Sequence, residues 1–177
     1  MIFEDTMRRP IIKALILSTI LGFFLSVPIR ALETDRQQQV LWSSDGGSIM
    51  RINGNTRILE MSENVKVTQG SLKIIGSEAV FEYLVSTNEL TKVTVRGSPV
   101  QYQQQLDEDG NLVTGTSDTL VFYSDELDET ILELVGNANI ESPDSTMSCA
   151  AIIYIADQDL IREATGPCQG MLSPQSN

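Results

Sequence analysis

Carboxylates are the chief reactive groups of this sequence: 24 Asp and Glu stand against 12 Lys and Arg, with no histidine in 177 residues. Two acidic runs stand out, Asp107-Glu108-Asp109 and Asp125-Glu126-Leu127-Asp128-Glu129. A calcium loop spaces its oxygen ligands at alternate positions around a sharp glycine turn. Neither run has that spacing, so both read as solvated turns. Glu78 and Glu82 could be drawn as acid and base, but strand parity fixes no distance between them. The commonest general base is missing with histidine, and no nucleophile elbow, phosphate loop or zinc motif is present. The expectation is a protein that is not an enzyme, with no catalytic residue, metal ligand or cofactor.

Thiol chemistry remains. Cys149 and Cys168 are the only cysteines, and an even count in an exported chain suggests one disulfide. If Gln158-Asp159 tips a two-residue hairpin, Asp157 opposes Leu160, Ile155 opposes Arg162, Ile153 opposes Ala164 and Ala151 opposes Gly166. Cys149 then faces Cys168 at a spacing that suits a bridge. A bulge or a longer turn would spoil that register, and the alternative is two free buried thiols.

The N-terminus points to export. Arg8, Arg9 and Lys13 form a basic region, Ala14 to Val27 is apolar, and Ile29-Arg30-Ala31 offers a small residue for signal peptidase. Residues 1–31 therefore read as a signal peptide. The competing reading is an uncleaved membrane anchor, although the apolar run is shorter than the roughly 20 residues a spanning helix needs. The remainder, from Leu32, holds 8 basic and 22 acidic residues, because the leader takes four of the 12 cations and two of the 24 anions. A net charge of −14 on that part repels phosphate backbones, so no nucleic-acid partner is expected.

The elements that must position these residues are strands. Val65 and Val67 alternate with Lys66 and Thr68, Gln69-Gly70 turns the chain, and Leu72 and Ile74 resume the alternation. Ahead of them, Val40 and Trp42 share a face, Met50 and Ile52 alternate with Arg51, and Asn53-Gly54-Asn55 signals a hairpin. Further strands are predicted at 77–83, 90–95, 100–102, 112–114, 118–123 and 131–135, with Gly97-Ser98-Pro99 and Gly136-Asn137 as breaks. Ser44-Asp45, Ser77-Glu78 and Ser117-Asp118 each open a similar strand-turn-strand unit, which implies stacked repeats sharing one interior. Residues 32–39 and the tail 173–177 are expected to be loose.

The segment Asn64-Val65-Lys66-Val67-Thr68-Gln69-Gly70-Ser71-Leu72-Lys73-Ile74 is similar to the signature of the OstA-like (LptA) family of periplasmic lipopolysaccharide-transport proteins. The likeness extends to Thr34-Asp35-Arg36-Gln37-Gln38, Ser44-Asp45, Gly97-Ser98-Pro99-Val100-Gln101-Tyr102 and Gly136-Asn137-Ala138. Glu63, where the family has glycine, and Gln39, where proline is common, depart from it. The resemblance implies an all-β fold, an open V-shaped antiparallel β-jellyroll spanning residues 32–172. It also implies a lipopolysaccharide carrier in the periplasm, shielding lipid A acyl chains. Its partners would be an LptC-like inner-membrane protein, an LptD-like outer-membrane translocon and further copies of itself, joined head to tail.

Alternation places Val40, Trp42, Leu59, Met61, Val65, Val67, Leu72, Ile74, Val93, Val95, Tyr102, Leu120, Phe122, Leu132 and Leu134 inside. For any one of them, ordinary core is as good a reading as a lipid groove; by the resemblance, Val40, Trp42, Tyr102 and Phe122 line the lipid path. The unpaired edges for self-association are expected near Val40–Trp42 and Leu160–Thr165. Competing readings are an anchored LptC-like component, a carbohydrate-binding β-sandwich with exposed aromatics, and a jellyroll glycan hydrolase.

Overall fold

The computed structural model describes residues 33–107 and 109–173. The signal peptide expected over residues 1–31, together with residues 32, 108 and 174–177, lies outside the described residues. Among the described residues no helix is long and apolar enough to cross a membrane.

A short helix α1 (Glu33–Arg36) precedes ten strands. These are β1 (Leu41–Ser43), β2 (Ser48–Asn53), β3 (Thr56–Gln69), β4 (Leu72–Leu84), β5 (Leu90–Gln105), β6 (Leu112–Ser124), β7 (Thr130–Ser142), β8 (Ser145–Ile155), β9 (Leu160–Thr165) and β10 (Gln169–Leu172). All belong to one open antiparallel sheet in which β3 to β8 pair in chain order. At one side β1 pairs the second half of β3 and β2 the first half. At the other, β9 pairs the end of β8 and β10 its beginning. Each side therefore carries one edge strand cut into two pieces. The C-terminal edge includes β10, beyond the residues 160–165 expected from the sequence.

The expected breaks are bends. Strands of 13 to 16 residues would run about 40–55 Å if straight. Register shifts occur between Ser62 and Val65, Ile75 and Glu78, Arg96 and Val100, Thr116 and Thr119, and Val135 and Ala138. They lie on one line across the sheet and fold it into two facing layers. The first layer holds the half-strands nearest the 84–90, 125–130 and 156–159 turns. The second holds those nearest the 70–71, 106–111 and 143–144 turns. Tyr102 of the second layer lies 6.4 Å from Tyr154 of the first, ring to ring, so the layers touch. Gly97-Ser98-Pro99 and Gly136-Asn137 thus bend β5 and β7 rather than ending them. A bulge leaves residues unpaired and turns the strand, which in a short sequence window looks like a turn.

Two of the bends share a construction. Asn64 donates to Asp45 Oδ2 at 2.8 Å, and Asn137 to Asp118 Oδ2 at 2.9 Å, each across 19 residues. Both asparagines have positive φ, and the residue before each, Glu63 or Gly136, does too. Two of the three units read from the sequence, those opened by Ser44-Asp45 and Ser117-Asp118, thus share a clasp placed where a strand changes layers.

The segment 32–39 is not loose over its described part: Asp35 is buried, and α1 docks on the second layer through it. At the other terminus, the Ser173 amide donates to the Asp144 carbonyl at 2.8 Å.

Candidate functional site: an apolar stripe between two layers

Strand register lines the inward side chains into rows. On the first layer one row runs Met50, Leu59, Phe81, Val93, Phe122, Leu132, Tyr154, Ile161. Beside it runs Met61, Ala79, Val95, Leu120, Leu134, Ile152. On the second layer the facing row is Trp42, Val67, Ile74, Tyr102, Gly115, Ile140, Met147. At Gly115 the layers approach closely: an added Cβ would sit 3.0 Å from Leu134 Cδ2 of the opposite layer and 3.0 Å from the Asn139 carbonyl.

Every inward position read from alternation falls on this face or beside it. Leu59, Met61, Val65, Val67, Leu72, Ile74, Val93, Val95, Tyr102, Leu120, Leu132 and Leu134 are buried, and Val40 and Phe122 are partly buried against them. Trp42 departs from the expectation: it sits on the edge strand β1, 45% exposed, with its ring 6.5 Å from Phe81. An edge strand has no neighbour on its far side to cover the indole. Sequence reading missed Phe81, Ile140, Ile152 and Tyr154. Phe81 is marked by its alternation with Ala79 and Tyr83, whereas apolar Ile153 and Ile155 blur the parity around Tyr154.

The stripe is sealed in the middle and open at its ends. Met50 and Ile52 at one side and Leu172 at the other share the inward parity and are more than half exposed. A cleft of about 520 Å³ opens between the layers towards the C-terminal side. Leu106, Val113 and Ile140 line one wall, and Tyr154, Leu160 and Ile161 the other. None of the inward residues chosen from the sequence lines it.

Polar groups mark the mouth. Tyr102 donates to Gln104 Oε1, and Tyr154 to Asp159 Oδ1, both at 2.8 Å. Burial, helped by the carboxylates of Asp159, Asp35 and Asp157, pushes the Tyr102 phenol well up. Burial also raises Tyr154, with Tyr102 and Asp159 adding to it. Both phenols stay neutral, which lets them sit inside an apolar trough. Burial likewise raises the Asp159 carboxyl.

The acidic turn 125–129 is more than a solvated loop. Asp125 accepts from the Leu127 and Glu129 amides at 3.0 and 3.1 Å, and Arg162 donates to Asp125 and Glu129 at 2.7 and 2.6 Å. That guanidinium holds the Asp125 carboxyl below its ordinary range. The network fastens edge strand β9 to the β6–β7 turn. Asp107 closes its own loop by accepting from the Asn111 amide and side chain.

Cys149 and Cys168 form a disulfide. The hairpin tip is a 3-10 turn (Ala156–Gln158) with Asp159 left-handed, not a two-residue turn. Ile155 consequently faces Leu160, and a shift between Ile153 and Tyr154 sets Ile153 against Glu163. A second one-residue step around Gly166-Pro167 brings Gln169 opposite Ser148. The two steps restore the register at the cysteines that a tight hairpin would have given.

A family profile described as "LptA/(LptD N-terminal domain) LPS transport protein" matches residues 48–159. No curated protein sequence matches the chain at a significant level. Among solved structures, the fold is similar to that of LptH from Pseudomonas aeruginosa, described as the LptA-homologous periplasmic component of the conserved lipopolysaccharide transport device. The TM-score is 0.65 at 18% identity, over 80% of this chain and 99% of that one.

Proposed function

The chain belongs to the family of LptA and LptD N-terminal-domain lipopolysaccharide-transport proteins, and from that membership we propose that it is a non-enzymatic periplasmic carrier of lipopolysaccharide. The observation that carries the reading is the apolar stripe, which runs from one sheet edge to the other and emerges at both as Met50, Ile52 and Leu172. An acyl chain transferred onto that stripe contributes roughly 0.8 kcal/mol for each methylene removed from water. Several chains therefore outweigh the repulsion between an acidic protein and an anionic glycolipid. Residues 1–31 serve as a signal peptide and residues 32–172 as the carrier domain.

The split edges supply the second half of the reading. Unpaired strand edges accept a further strand, and an edge-to-edge contact between unlike ends does not close, so it builds filaments. Copies joined head to tail would bring their stripes into line. An LptC-like protein at one end and an LptD-like translocon at the other would complete the bridge between membranes. Phe122, Val67 and the other inward residues act as the wall of the path, and Trp42 as its entrance.

Photocrosslinkers placed at Trp42 and Phe122, with Lys66 on the outer face as control, test this. Lipopolysaccharide adducts are expected at the first two positions and not at the third. Their absence at both would remove the carrier reading, and depletion should leave lipopolysaccharide on the inner-membrane side.

A further inference from the structure

Consecutive residues of α1 grip opposite lips of the trough. On the second layer, Asp35 is buried and accepts from the Ser71 amide at 2.9 Å, from the Ser71 hydroxyl, and from Gln104 Nε2 at 3.4 Å. The β3–β4 turn is shaped around this carboxylate: Gly70 has φ +58°, and an added Cβ would meet Asp35 Oδ1 at 2.1 Å. On the first layer, Arg36 reaches the β6–β7 turn, pairing with Asp128 Oδ2 at 3.1 Å and donating to the Asp128 carbonyl. Its other nitrogen lies 3.7 Å from Asp157 Oδ2. Asp157 is itself fixed by the Thr130 amide at 2.6 Å and the Thr130 hydroxyl at 3.1 Å.

The two grips differ in strength. A buried carboxylate with several donors, including a backbone amide, makes a strong and costly-to-break anchor. An ion pair whose arginine is 37% exposed, with a partner aspartate at 85%, is weak and screened by salt. The segment is hinged on one lip and lightly held on the other. Meanwhile the walls it closes pack against each other, with Leu132, Leu134, Val65 and Val95 fully enclosed. A lipid cannot reach them unless the lips part.

We propose that the Asp35–Arg36 segment is a latch across the mouth of the trough, anchored by Asp35 and released at Arg36, and that its release sets the rate at which a lipid enters. This inference rests on the carrier reading for its ligand, but the latch itself can be examined without any lipid.

Stopped-flow loading of fluorescently labelled lipopolysaccharide into the purified chain is compared for wild type, Arg36→Asp and the charge-swapped Arg36→Asp/Asp128→Arg. Arg36→Asp should load about fivefold faster, the order expected for loss of exposed ion pairs, and the swap should return the rate towards wild type. Raising salt should speed the wild type and leave Arg36→Asp nearly unchanged. Read without lipid, hydrogen exchange at the Ser71 amide should stay as slow in Arg36→Asp as in wild type, because Asp35 still holds it, and should quicken in Asp35→Ala. Equal loading rates, or faster loading that the swap does not reverse, would overturn the latch while leaving the carrier intact. Ser71 exchange that quickens in Arg36→Asp would overturn Asp35 as the fixed anchor, and no lipid bound by any variant would overturn the carrier reading and the entry role together.

Discussion

At the scale of single residues, two positions have consequences that contacts alone decide. Gly115 stands where the two layers pack closely, with Leu134 Cδ2 and a backbone carbonyl each 3.0 Å from a would-be Cβ. A close-packed interior has no slack for a methyl group there. Gly115→Ala should cost about 1–3 kcal/mol, measured by urea denaturation. The second position is Arg162. It depresses the Asp125 carboxyl, chiefly by direct hydrogen bonding. A depressed value in the folded state means the contribution is complete above the ordinary carboxylate midpoint and fades as pH falls through the lower, folded one. Arg162→Ala should therefore raise the Asp125 midpoint in a carboxyl NMR titration and flatten that part of the acid limb of stability. Tyr123 provides a marker nearby: its hydrogen bond to Glu133, with burial second, pushes the phenol to about 12, and Glu133→Gln should bring its absorbance titration down.

At the scale of elements, the bends carry the argument. The clasp at Asn64 and the clasp at Asn137 are built alike, yet the left-handed residue before the asparagine is Gly136 in one and Glu63 in the other. A side chain in that region costs about 1–2 kcal/mol, partly offset by the greater freedom of glycine in the unfolded chain. Glu63→Gly should stabilise the protein by about 0.5–1 kcal/mol in a thermal melt. Gly136→Glu should do the reverse and by more, since an added Cβ would lie 2.5 Å from Asp118 Oδ2. The alternation on either side of each bend was legible in the sequence, because a half-buried strand writes its period into adjacent residues. That 57–61 and 65–69 form one strand was not. Glycine, asparagine and proline serve a bulge and a turn for the same conformational reasons, and only long-range pairing tells the two apart. The cysteines show the converse: an extended turn and two single-residue steps cancel, so a simple hairpin count reaches the right partners through a wrong path.

At the scale of the whole molecule, the question is what the two ends do. The inward stripe could be read from the sequence through Val65, Val67, Leu120 and Leu132, but the exposure of its ends could not. Met50 and Ile52 carry the same alternation as buried strands, and only their place on an edge leaves them uncovered. The docking of Asp35 was equally hidden, since a polar stretch gives no sign of a receptor 36 residues further on. If unlike edges join, the two ends are independent halves of one interface and can be blocked separately. Lysine on an edge strand is a known guard against added strands. Ile52→Lys should disable the β2 side and Leu172→Lys the β10 side. Each variant alone should stay monomeric in sedimentation at concentrations where the wild type grows in mass. Mixed in equal amounts, they retain one intact β2 side and one intact β10 side, so they should form a dimer and stop there. Recovery of long filaments in the mixture would show that the lysines do not block the joining edges, whereas a dimer from either variant alone would point to a two-fold contact between like edges. Such a contact would close on itself and could not extend a lipid path across a gap.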